Sequence, residues 1–240
     1  MRQLLRHGLL LRHELVLNVG RALARHVGMN ADLQSRIKLA GSIIPATLFL
    51  VAGCAAAPSS QFYTLSASTQ PATSASKISV AVGPVSIPAG VDRPQMVINT
   101  GANQVQLDEF NRWAAPLQSD INRVVAENLV KMLGTPQVSL FPQTASTQAD
   151  YRVSIEVQSF VSTLGESSAL DAVWTVRRMK DNAIQTGRST LSEPAKAAAA
   201  EQSHAALAAA HSRALARMSQ DIADALRTLE QAPWVKAATK

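Results

Sequence analysis

Residues 151–157 read YRVSIEV. Tyr151, Val153, Ile155 and Val157 alternate with polar neighbours, a period of two that sends one row of side chains into a core and the other outward. This is the clearest amphipathic strand in the chain, and the rest of the fold is read outward from it. Downstream, Leu170 to Arg178 and Asn182 to Leu191 predict a hairpin turning near Lys180-Asp181-Asn182. Upstream, Val138-Ser139-Leu140-Phe141 predicts a short strand. Before it, Pro116 opens a helix in which Leu117, Ile121, Val124, Val125, Asn128, Leu129 and Met132 recur at spacings of three and four. Gly134 and Pro136 stop that helix. Ile78 to Val85 is β-branched and predicts a strand, closed by Pro84 and Pro88. Met96-Val97-Ile98 and Val105-Gln106-Leu107 predict two short strands around a turn at 99–103. Phe62-Tyr63-Thr64-Leu65 predicts an edge strand.

The C-terminal part is Ala-rich. Ser192 is a candidate helix cap with Pro194 in the first turn, and no Gly or Pro interrupts 195–230. Leu207, Ala210, Ala214, Met218, Ile222, Ala225 and Leu229 mark one face, where Ala in place of Leu predicts close approach to a sheet. Strands, helix, strands, helix give an α/β (α+β) two-layer sandwich. Its sheet is expected to be mostly antiparallel, with two main helices on one face.

Composition narrows the function classes. The chain has 240 residues, 47% of them hydrophobic, enough to bury a core. The single cysteine excludes an internal disulfide framework and a Cys-rich zinc site. The net charge of +6 suggests nucleic acid, but residues 1–53 hold seven of the 23 Lys/Arg and two of the 17 Asp/Glu. Beyond them 16 basic residues face 15 acidic ones, so no nucleic-acid footprint remains. No GxSxG, P-loop or GxGxxG motif and no Cys/His cluster occurs. Neither a catalytic constellation, nor a metal site, nor a cofactor is therefore expected. His204 and His211 are expected as exposed helix residues, too far apart for one metal. Asp221 and Asp224, among Arg217 and Arg227, read as a solvated charged face, and Arg177-Arg178-x-Lys180 as a solvated turn.

Residues 39–53, LAGSIIPATLFLVAG, are uncharged, follow Arg36 and Lys38, and are too short to span a bilayer. Val51-Ala52-Gly53-Cys54 closes this run and resembles the bacterial lipoprotein signal, which implies cleavage before Cys54 and diacylglycerol on its thiol. That covalent lipid is the only non-protein group expected. Ala55 in place of aspartate implies sorting to the outer membrane. The expected organisation is residues 1–28 as a misassigned start or an extended n-region, and 29–53 as signal peptide. Acylated Cys54 and a flexible tether follow over 54–76, then a folded domain over 77–230 and a tail over 231–240.

Two central segments carry a family resemblance. Gly83-Pro84-Val85, Pro88 and Asp92-Arg93-Pro94-Gln95 are followed by Arg112-Trp113-Ala114-Ala115-Pro116-Leu117. With Tyr63-Thr64-Leu65 before them and Ala149-Asp150-Tyr151 after, they resemble the PqiC family of outer-membrane, ABC-type transport auxiliary lipoproteins. The resemblance implies a non-enzymatic subunit of an MCE-type lipid transport system. It implies a periplasm-spanning MCE-domain partner like PqiB, a homo-oligomeric ring and a lipid anchor at the periplasmic face of the outer membrane. An alternative is an independent, monomeric binder of lipid or glycolipid with a pocket between helices and sheet. On the residues themselves, Asp92-Arg93-Pro94 reads as a turn, with Pro94 forcing Arg93 extended and Asp92 free to accept a local backbone bond. Trp113 reads as a core cap before the helix, and Arg112 as an ion-pair partner of Asp108 or Glu109.

Overall fold

The strand that begins at Tyr151 runs on to residue 163, with a bulge after Val157 that moves the buried row from 151, 153, 155 and 157 to 160 and 162, and it organises the molecule. A computed structural model describes residues 59–72, 75–199 and 203–233. In chain order its elements are β1 (Gln61–Tyr63), β2 (Val80–Ser86), β3 (Gln95–Gly101), β4 (Gln104–Trp113), α1 (Leu117–Leu133), β5 (Val138–Leu140), β6 (Tyr151–Thr163), β7 (Ser167–Arg178), β8 (Ile184–Pro194) and α2 (Ser203–Gln231). A 3₁₀ turn, Thr144–Gln148, links β5 to β6.

Along one edge, β6 pairs antiparallel with β7, from Tyr151 opposite Arg178 to Thr163 opposite Ser167, and β8 continues the ladder beyond β7. The other edge of β6 is shared. Parallel β2 takes its first half, from Val80 opposite Tyr151 to Ser86 opposite Glu156. Parallel β3 meets its far end, with Ile98 opposite Ser162. Short β5 lies parallel outside β2. Antiparallel β4 lies outside β3, and β1 closes the edge parallel to β4. The sheet is mixed: the long ladders are antiparallel and the short joins parallel.

Both helices cover one face and pack on each other, α1 over β2 and β5, α2 over β7 and β8. Helix α1 ends at Gly134, whose φ of 63° is the left-handed conformation a helix stop requires. Helix α2 buries the face read from sequence, with Ala210 and Ala214 fully enclosed where they meet the sheet. Ile121, Leu129, Val153, Val176, Leu207, Leu215, Met218, Ile222 and Leu226 fill the space between the layers. Each such aliphatic side chain contributes about 1.5–3 kcal/mol of burial free energy. No described helix is long and apolar enough to cross a membrane.

Three expectations change. Ser192 does not cap a helix: β8 continues to Pro194, with Ser192 opposite Ala169 and Pro194 opposite Ser167. The chain stays non-helical through residue 199, and α2 begins at Ser203. Ladder pairing along β7 outweighs the local cap signal there. Strands β3 and β4 run to seven and ten residues, longer than their short apolar cores suggest, because their backbone ladder extends from Gly101 opposite Gln104 to Gln95 opposite Arg112. The tether reading of 54–76 is corrected over its described part. The Leu65 N–H donates to Asp120 Oδ2 at 2.8 Å, the Ser66 N–H to Ser212 Oγ at 3.1 Å and the Ala72 N–H to the Lys131 carbonyl at 2.8 Å. Arg123 Nη2 donates to the Leu65 carbonyl at 2.7 Å. The chain from Gln61 to Ala72 is therefore strapped to the domain.

Candidate functional site

Most of the family-like residues lie on β2, on the β2–β3 loop and at the end of β4, while Ala149-Asp150-Tyr151 stand at the start of β6. Gly83 adopts φ 118°, and a Cβ there would sit 3.3 Å from Asn122 Nδ2, so the backbone needs glycine. Gly83 and Pro84 form the irregularity where the pairing of β2 with β6 shifts between Val82 and Val85. The β2–β3 loop then turns: the Val91 N–H donates to the Pro88 carbonyl at 3.0 Å and the Arg93 N–H to the Val91 carbonyl at 2.9 Å. These backbone bonds close the turn, and Asp92 is exposed. The Trp113 N–H donates to the Pro94 carbonyl at 2.7 Å, which ties the loop to the end of β4. Arg112 takes the expected ion-pair role with Glu109, Nη2 to Oε2 at 3.3 Å. Trp113 is 6% exposed and caps the core, and Pro116 stands immediately before α1. The lipoprotein residues Val51, Ala52, Gly53 and Cys54 lie outside the described residues.

The loop and β3 border an apolar groove of about 230 Å³ on the sheet face without helices. Pro88, Val91, Val97, Asn99, Val105 and Val161 line it. Val97 and Asn99 on β3 lie opposite Leu107 and Val105 on β4, so the groove continues into an exposed apolar strip. Val105 is 62% exposed, Leu107 38% and Phe110 46%, with Phe62 on neighbouring β1 at 63%. The Arg112–Glu109 pair divides Phe110 and Phe62 from Val105 and Leu107, and exposed apolar surface on this scale marks a protein or membrane contact. The groove is open and below the roughly 300–1,000 Å³ of small-molecule pockets. It fits a few apolar side chains of a partner and is too small for a two-chain lipid. Sequence reasoning missed it because its walls come from the 87–91 loop, β3, β4 and β6.

The structure also builds polar clusters the sequence concealed. His211 is fully buried, which corrects its reading as exposed. Its ring stacks on Phe160 at 3.7 Å and meets Trp113 edge-on, and Nε2 shares a 2.8 Å hydrogen bond with Ser162 Oγ. Burial lowers the His211 pKa to about 3. No acid orients this imidazole and its Nδ1 has no partner, so the pair lacks the third member of a nucleophile–base device. Its role is to knit α2 to the junction of β3, β4 and β6.

His204 is also largely covered; its Nε2 lies 2.9 Å from Asp108 Oδ2, close enough to pair when protonated but not aligned as a hydrogen bond. Burial would raise the Asp108 pKa, but the Asn111 side chain and the Phe110 and Asn111 N–H groups hold it below the usual carboxylate range. Arg178 is 8% exposed, which corrects the solvated-turn reading. It grips Asp181 and the Leu229 and Ala232 carbonyls, so it joins the β7–β8 turn to the end of α2. Its guanidinium lowers the Asp181 pKa to about 2. Asp221 accepts from Ser189 Oγ and Asp224 pairs with Arg227 at 2.7 Å, both on an exposed face as expected.

Comparison with known proteins agrees with this geometry. Residues 63–223 match the family described as ABC-type transport auxiliary lipoprotein component. The fold is similar to that of a Xanthomonas campestris protein of the DUF330 family, at 17% identity, 72% of this chain, 98% of that one and a TM-score of 0.58. A second crystal structure, of a protein of uncharacterized function, aligns at 17% identity over 70% of this chain and 99% of its own, with a TM-score of 0.55. No curated protein matches the sequence.

Proposed function

Because this chain belongs to the ABC-type transport auxiliary lipoprotein family, we propose that it is a non-enzymatic docking subunit of an MCE-type, Pqi-like intermembrane lipid transport system. Acyl chains on Cys54 hold it at the periplasmic face of the outer membrane. The groove beside the Pro88–Pro94 loop receives an apolar segment of the periplasm-spanning MCE-domain protein. Lipid passes along the shared conduit with no covalent step in this subunit.

The observation that carries the reading is the family match over residues 63–223, together with an apolar groove on the helix-free face that Pro88 and Val91 of the β2–β3 loop line. A homo-oligomeric ring belongs to the same reading. Among the described residues β1 and β8 each pair on one side only, and edges of that kind support repeated head-to-tail contacts. The alternative, an independent lipid or glycolipid binder, has less support, since Leu207, Leu215, Met218, Ile222 and Leu226 fill the space it would need between helices and sheet.

The test is to tag the C-terminus, extract the protein from native membranes in mild detergent and identify what co-purifies by mass spectrometry. An MCE-domain protein is expected, and less of it from the Cys54→Ala variant. Recovery of this lipoprotein alone, carrying lipid, would sink the conduit reading.

A further inference from the structure

We infer that the Phe62–Phe110 edge rests on the bilayer that holds the acyl chains, an inference that rests on acylation of Cys54. The argument begins with the length of the leash. The chain is fixed to the domain from Gln61 onward, by the pairing of β1 with β4 and by the Asp120 and Arg123 bonds to Leu65. Only six residues separate Cys54 from Gln61, and the seven peptide steps between them reach at most about 25 Å. The corner of the domain that bears β1 therefore cannot leave the membrane surface by more than that.

That corner carries two exposed rings beside a single exposed ion pair, Arg112 with Glu109. Phe62 lies opposite Arg112 in the parallel pairing of β1 with β4, and Phe110 stands two residues before Arg112, where β4 bulges away from β3, so both rings are borne by this edge of the sheet. They are 63% and 46% exposed. No charged residue occurs between Lys38 and Lys77 or between Pro94 and Asp108, so the leash, β1 and β3 approach lipid without stripping water from a charge. Together the two rings expose on the order of 200 Å². A stable contact with a second copy needs roughly 800 Å² per partner, whereas an already acylated protein needs only a small apolar contact to set its orientation.

Cys54 is the only cysteine, and acylation leaves no free thiol. Phe62→Cys and Phe110→Cys therefore each provide one labelling site in the full acylated chain, with Thr190→Cys on the polar part of the sheet as reference. Nitroxide-labelled protein is reconstituted into phosphatidylethanolamine–phosphatidylglycerol vesicles. Collision with oxygen, which concentrates in lipid, is compared with collision with a water-soluble nickel chelate. The oxygen-to-nickel ratio is expected to be several-fold higher at positions 62 and 110 than at 190. Equal ratios at all three, on protein whose acyl mass is verified, would overturn the orientation and leave the anchor intact. Spin–spin broadening between labels at 62 would overturn it in favour of a second copy. Absence of the acyl mass would overturn the anchor, and this inference with it.

Discussion

The helix-free face of the sheet has two unlike halves. Over β6, β7 and β8 polar side chains pair with one another: Arg188 Nε bonds Asp171 at 2.8 Å, Thr190 bonds the same carboxylate at 3.2 Å, and Thr175 meets Thr186 across the ladder at 3.2 Å. Over β3, β4 and β1 the same face carries Val97, Val105, Leu107 and Phe62, with little to cover them, and Phe110 is exposed where β4 bulges. On the opposite face, α2 packs on β7 and β8, whereas β3 and β4 are joined to the long ladder mainly where Ile98 pairs with Ser162. The first half has a surface complete in water. The second leaves apolar area uncovered, as a surface does when something else completes it.

The largest effect should come from the ladder. Trp174 lies directly opposite Gly187, and a Cβ on Gly187 would come within 2.2 Å of its ring. Its Nε1 donates to Ser189 Oγ at 3.0 Å. Trp174→Ala should cost about 3–5 kcal/mol, read from the urea midpoint. A cost near zero would mean that the ladder does not carry the fold. Next is the strap that fixes β1. Asp120 is 4% exposed and accepts from both the Leu65 N–H and Thr64 Oγ1. Asp120→Ala should cost about 1–3 kcal/mol through the orphaned donors. Hydrogen exchange should accelerate at the Leu65 amide while the β6–β7 amides stay protected; uniform acceleration would show that the two halves unfold together.

His211 sits at the seam between the halves, and its titration tests that seam. Buried, it stays neutral down to about pH 3, whereas in the unfolded chain it takes up a proton near pH 6.5. Between those values the unfolded state binds the extra proton, so its contribution is full above pH 6.5 and is lost as pH falls. The slope is about 1.4 kcal/mol per pH unit. Stability curves from pH 7 to 4.5 should flatten in His211→Phe, and an unchanged slope would mean that other groups set the acid sensitivity.

How much of this was legible depended on where each signal lay. The YRVSIEV alternation, the α1 spacing closed by Gly134 and the apolar face of α2 are local, and they gave the layers. The end of β8 was not legible, because Ser192 and Pro194 look like a helix start until β7 is placed beside them. His211 and Arg178 look like surface residues in one dimension, since nothing near them in sequence announces Phe160, Ser162 or the Leu229 carbonyl. The groove needed two stretches distant in sequence, 88–105 and 158–162, brought together by one bridge from β3 to β6. The motif residues marked the β2–β3 loop and the end of β4 without saying which of them face solvent.

The smallest stability effect belongs to the open half, and it is the most informative. Val105 is exposed and lines the groove. Val105→Ser removes apolar surface that water already covers, so its stability cost should stay below about 0.5 kcal/mol. If a partner completes this face, the same change leaves a hydroxyl facing an apolar segment and opens a gap beside Val97 and Val161. Recovery of the MCE-domain protein should then fall several-fold while the urea midpoint holds. Arg188→Ala on the other half supplies the reference: an exposed pair should cost less than about 1 kcal/mol and leave recovery unchanged. Equal recovery with both variants would mean that the apolar half is not the docking face. A marked loss of stability at Val105 would mean that the open arm already completes its own surface, and the contrast between the halves would fail.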